Sequence, residues 1–170
     1  MKLTQKLFRL SATLSAIFLA GIGILIIAQI IARIMGTQIP SADDFAAWSM
    51  AASVFLALPA TFMANGHIRV TIIFKAFGDK VTRVLDLIST VFAIGILAWG
   101  TWFIGEYVYE SYIYDDLSQG IIAVPLWIPQ CAMLVGVFLM TLALLEHLYM
   151  LVTGQDTFPD EALIPSEEDK

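Results

Sequence analysis

Four long stretches of this chain carry no formal charge, and they constrain its fold more than any other feature. They are residues 10–32, 45–68, 87–105 and 117–145, of 23, 24, 19 and 29 residues. A hydrocarbon core of about 30 Å takes about 20 helical residues at ~1.5 Å rise each. Each stretch can therefore cross a bilayer once, and none is long enough to cross twice. All four are dense in Leu, Ile, Val, Phe and Ala, without the short alternating segments of a membrane β-barrel.

Composition closes the other routes. The chain is 59% apolar and 14% charged, with a mean hydropathy of +0.82. Soluble domains are about half apolar and about a quarter charged. A net charge of −6 has the wrong sign for gripping a phosphate backbone, so no nucleic-acid partner is expected. The single cysteine, Cys131, cannot close an internal disulfide. The expected fold is an all-α integral membrane protein with four transmembrane helices, at about 10–34, 44–65, 84–108 and 123–152. Residues 1–154 form the membrane domain in this reading, and 155–170 an acidic, disordered tail. The apolar run behind Lys2, Lys6 and Arg9 is longer than a secretory h-region, so it reads as an uncleaved anchor.

The bases set an expected orientation. Lys2, Lys6 and Arg9 precede the first span, Arg69, Lys75, Lys80 and Arg83 lie between the second and third, and Lys170 is in the tail. Only Arg33 falls on the opposite side. The positive-inside rule then places both termini in the cytoplasm. From Arg69 to Leu85 the residues Val70, Ile73, Phe74, Phe77, Val81, Val84 and Leu85 recur at helical spacing. That pattern predicts a short surface helix over about 69–83, with Lys75 and Lys80 toward anionic headgroups. The loop at 106–122 gathers Tyr107, Tyr109, Tyr112 and Tyr114 with Glu106, Glu110, Asp115 and Asp116, a mixture suited to interfacial anchoring or to docking a partner.

Within the spans, small residues mark candidate contacts. Ala12, Ala16, Ala20, Ala28 and Ala32 lie on one ridge of the first span, and Ser49, Ser53, Ala57, Thr61 and Asn65 on one of the second. Close backbone approach and interhelical hydrogen bonds drive association in lipid, so these stripes serve either internal packing or another protein. Pro59 and Pro129 should kink their helices or mark their ends. No Asp, Glu, Lys or Arg lies near the middle of a span, where ion-coupled carriers place their working groups. No phosphate-binding glycine loop, HExxH or CxxC occurs, so no enzyme is read here. His67 and His147, both near the inner end of a helix, leave axial haem ligation as an alternative, beside an autonomous small transporter and a generic four-span interaction protein.

Two longer patterns point to a family. One is DDFAAWSMAASVFLALPATFMANGHIRVTII, where a carboxylate-led second helix with Trp48 runs into His67 and Arg69. The other is AVPLWIPQCAMLVG, where Pro125, Trp127 and Pro129 open the last helix. With the length, the four spans and the expected orientation, the chain resembles the small, DctQ-like membrane subunit of TRAP (tripartite ATP-independent periplasmic) transporters of the bacterial inner membrane. The resemblance implies sodium-coupled symport of an organic acid, such as sialic acid or a C4-dicarboxylate. It implies two partners, a large elevator-type membrane subunit and a periplasmic solute-binding protein. Sodium is then expected on the large subunit, and no cofactor or metal on this chain. It further implies that Trp48, Ser49, Ser53, Ala57, Thr61, Pro125 and Trp127 are candidates for the large-subunit interface. His67 and Arg69 join Lys75 and Lys80 as cytoplasmic anchors, and Asp115 and Asp116 are candidates for docking the binding protein.

Overall fold

The protein was analysed as a computed structural model that describes residues 2–64 and 79–153. Four helices make up almost all of it: α1 (Lys2–Ile34), α2 (Ala42–Met63), α3 (Asp79–Ile113) and α4 (Trp127–Thr153). All four are long and apolar enough to cross a membrane. The expected surface helix lies mostly outside the described residues. Its last part, residues 79–83, instead forms the first turn of α3, which is continuous with the span.

Local chemistry sets the boundaries. Gly36 ends α1 with φ 76°, the left-handed conformation that only glycine adopts without strain. Its N–H donates to the Arg33 carbonyl (3.1 Å), and the Thr37 N–H donates to that of Ala32 (2.9 Å). This pair of bonds is a Schellman closure, and it satisfies carbonyls that the helix end leaves open. Asp43 and Asp44 occupy the first turn of α2, where carboxylates complement the helix dipole.

Other expected boundaries move as well: α1 begins at Lys2 rather than near residue 10. α3 runs on to Ile113 rather than stopping near 108, so Glu106, Tyr107, Tyr109, Glu110 and Tyr112 are helical rather than loop. α4 begins at Trp127 rather than 123, because residues 116–126 form a small antiparallel hairpin instead. The Ser118 N–H donates to the Val124 carbonyl and the Leu126 N–H to that of Asp116, each at 2.9 Å. These bonds flank the bridge between Leu117 and Pro125, making those two a pair that exchanges no hydrogen bond of its own. Pro125 has no N–H to give, so it fits there without loss. Pro129 falls in the first turn of α4, where a missing N–H costs nothing.

The four helices form an open row in the order α1, α2, α4, α3. α4 is central and the most buried, through Gly136, Val137, Met140, Thr141, Ala143, Leu144, His147 and Met150. Among the described residues α1 and α3, at the two ends of the row, do not touch, and α1 meets α4 only marginally. Connectivity up and down the row brings the ends at Lys2, Met63, Asp79 and Thr153 to one edge, the terminal end. The 35–41 connection and the hairpin share the other, the loop end.

α1 meets α2 along one seam of Thr4, Phe8, Ser11, Ser15, Phe18, Ile22, Leu25, Gln29 and Ala32. The steps alternate between four and three, the 3.5-residue repeat of side-by-side helices. The alanine ridge meets the seam only at Ala32, and Ala16 and Ala20 are exposed. Two hydroxyls hold the seam: Ser11 Oγ donates to the Leu56 carbonyl (2.6 Å) and Ser15 Oγ to that of Ser53 (2.7 Å). Interhelical bonds of this type contribute about 0.6 kcal/mol on average in membranes. Ser11→Ala combined with Ser15→Ala is therefore expected to lower stability by about 1–2 kcal/mol. Thermal unfolding in detergent checks this, with Thr13→Ala as control, because Thr13 bonds only its own helix at Arg9.

Candidate functional site

The backbones of α2 and α4 approach closely at one point. A β-carbon built on Gly136 would stand 2.5 Å from both the carbonyl carbon and the carbonyl oxygen of Phe55. That carbonyl has a particular reason to be there. Pro59, four residues on, has no N–H to offer it, so it lacks its usual helical donor. α4 covers it with a residue that has no side chain, and the Gly136 α-hydrogens face the oxygen instead. Pro59 itself is fully buried, and α2 runs through it.

At the terminal end a polar group closes the row. His147, only 1% exposed, holds Nε2 3.8 Å from Asp86 Oδ2 of α3, and its ring meets the edge of Phe62 of α2 at 5.5 Å. Beside it, Thr4 Oγ1 of α1 donates to Glu146 Oε1 (3.2 Å), and an Arg83 guanidinium nitrogen donates to the Leu151 carbonyl (2.8 Å). Residues from all four helices thus converge at one depth. His147 lies amid packing and hydrogen bonds. Among the described residues no set of three or more His, Cys, Asp or Glu could hold a metal, and His67 lies outside them.

At the loop end the hairpin is pinned to the α1–α2 connection. Ser41, left-handed at φ 54°, gives its α2 no side-chain cap; its hydroxyl accepts the Ile122 N–H instead (2.9 Å). Gly120 sits so close to Asp44 Oδ2 and Ser41 Oγ that any side chain there would displace them. The Tyr112 ring packs edge-on against Trp127 at 5.7 Å and ties the top of α3 to the start of α4.

The candidate interface residues divide. Ser53, 6% exposed, is covered by this chain's own α1. Ser49, Ala57 and Trp48 are half-buried, with Trp48 edge-on to Phe45 at 5.3 Å. Thr61 is exposed, and its hydroxyl donates back to the Ala57 carbonyl (2.9 Å). Pro125 and Trp127 are half-buried and belong to the hairpin and its junction with α4. Asp115 (φ 50°) and Asp116 are both exposed at the tip above α3. His67, Arg69 and Lys75 lie outside the described residues, and Lys80 falls in the first turn of α3. The contact of Gly136 with Phe55 was missed, although a glycine in one span and a proline in another are both visible in the sequence.

The row leaves large apolar side chains uncovered. Its outer helices present Ile17, Ile27, Phe92, Trp99 and Trp102 outward, with Trp102 73% exposed. Residues 22–154 match the family of tripartite ATP-independent periplasmic transporters, DctQ component. The chain belongs to the DctQ family. No curated protein matches it. As a DctQ component it is a multi-pass membrane part of a TRAP transporter, and its function is transport.

Proposed function

We propose that this chain is the static small subunit of a sodium-coupled TRAP transporter that imports an organic acid, with sialic acid or a C4-dicarboxylate as the solute class. Its role is to widen and stiffen the scaffold on which a large elevator subunit moves. The observation that carries this reading is the open row. Two helices are packed on one side only, and the spans hold no charged group at mid-depth. Asp86, Glu146 and His147 gather at the terminal end, too far out to lead an ion across. The substrate and sodium sites then belong to the large subunit, and this chain needs no cofactor.

The orientation that the bases favour puts the terminal end in the cytoplasm of a bacterial inner membrane and the hairpin in the periplasm. There Asp115 and Asp116 are placed to meet a solute-binding protein. The free part of the α2 strip, Ser49, Ala57 and Thr61, is the proposed contact with the large subunit, with Trp48, Pro125 and Trp127 flanking it. His67, Arg69, Lys75 and Lys80 are the proposed cytoplasmic anchors. Ala57→Leu with Thr61→Leu should sharply reduce recovery of the large subunit in co-purification, while the lone chain stays folded. Unchanged recovery removes the strip from the interface. Sodium-driven uptake by the lone chain in liposomes would favour the autonomous-transporter alternative.

A further inference from the structure

A groove opens between α1 and α2 near the loop end, with a cavity of about 200 Å³. Its walls are the apolar side chains of Leu25, Ile26 and Ile30, and its rim carries Gln29, Arg33 and Asp43. Two features separate it from a bare apolar cleft. It holds one positive and one negative group, both exposed, and among the described residues neither is engaged in an ion pair. Arg33 is also the lone base of its end: the sequence has no other Lys or Arg between residues 10 and 68 or between 84 and 169. The Gln29 Oε1 is already taken by the Ile39 N–H (3.2 Å), so its amide nitrogen remains as a further donor at the rim.

We propose that this groove is a binding site for a zwitterionic aminophospholipid, a phosphatidylethanolamine. Arg33 and the Gln29 amide take the phosphate, the Asp43 carboxylate takes the primary ammonium, and an acyl chain follows Leu25, Ile26 and Ile30 down α1 toward mid-membrane. A cavity of about 200 Å³ leaves room for several water-sized groups, enough for a small polar headgroup to enter. The charge pattern selects among lipids. Phosphatidylglycerol carries a net negative charge and can offer Asp43 only neutral hydroxyls, without the cation that makes the hydrogen bond charge-assisted. Phosphatidylcholine carries a cation without N–H groups, so it cannot donate a charge-assisted hydrogen bond to that carboxylate. Arg33 stands in the last turn of α1, where a helical residue meets the headgroup layer, so the match is also one of depth.

The test is native mass spectrometry of the full-length protein, stripped of lipid and offered phosphatidylethanolamine, phosphatidylglycerol and phosphatidylcholine of identical acyl chains. The expected result is retention of phosphatidylethanolamine about tenfold above the other two. Asp43→Asn should erase the preference over phosphatidylcholine, and Arg33→Gln should lower binding of all three. Both positions are exposed, so neither change threatens folding. Ile26→Trp, which fills the groove from its apolar side, should block retention with both charges intact. Equal retention of the three lipids, a preference for phosphatidylglycerol, or wild-type binding by Asp43→Asn or Arg33→Gln overturns the proposal.

Discussion

Gly136→Ala should lower the thermal midpoint of the purified protein by a few degrees, up to about 8 °C, although alanine is the better helix former. Two effects oppose each other. The intrinsic gain from replacing a mid-helix glycine is about 1 kcal/mol. Against it, the new methyl group would lie 2.5 Å from the Phe55 carbonyl, which is backbone and cannot swing aside as a side-chain tip would. The helices must then separate, and overpacking of this kind costs about 1–3 kcal/mol. The seam around it holds Leu56, Val137 and Met140, all buried, so the loss spreads along α2 and α4. Gly136→Leu should push the two helices apart and leave little folded protein. Gly95→Ala is the control, since nothing stands within 4 Å of that position, and it should be neutral or mildly stabilising. Equal midpoints for Gly136→Ala and Gly95→Ala would show that the close approach does not hold the row together.

The second large effect is expected at His147. Truncating its ring by His147→Ala opens a cavity where three helices meet, at a cost of about 2–4 kcal/mol. The gain from no longer burying a polar ring offsets part of that cost. Asp86 is 26% exposed and 3.8 Å away, so its attraction to the ring is weakened by water. Asp86→Asn should therefore change stability by less than about 1 kcal/mol. Unfolding monitored by size-exclusion in detergent distinguishes the two. Should Asp86→Asn prove as damaging as His147→Ala, electrostatics rather than packing governs this end.

The four membrane spans and their helical type could be read from the sequence because a bilayer converts missing charge directly into structure. Where the reading slipped, two signals competed. Tyr107, Glu110 and their neighbours resemble an interfacial loop by composition, yet Leu97, Ile104, Val108 and Ser111 continue the inward spacing of α3, and that spacing held. Pro125 was read as opening a helix, but its missing N–H suits the unbonded pair of a hairpin equally well. The α1 seam is faint in the sequence because its polar marks, Ser11, Ser15 and Gln29, are sparse along a helix that is otherwise largely apolar on every side. Ser53 packs against this chain's own α1, and sequence alone left open whether such a small residue serves this chain or another. The pairing of Gly136 with Phe55 joins two spans through a carbonyl that Pro59 leaves undonated, and no local pattern announces it.

The overrun of α3 sets a height. Its charge-free stretch ends at residue 105, and eight further residues continue the rod to Ile113. At ~1.5 Å each they raise its tip about 12 Å along the axis. The polar layer on each side of a bilayer is only about 5–7 Å deep. The carboxylates above Ile113 are thereby carried about 12 Å past the last charge-free turn, farther than one polar layer is deep, and the pinned hairpin braces them from beside.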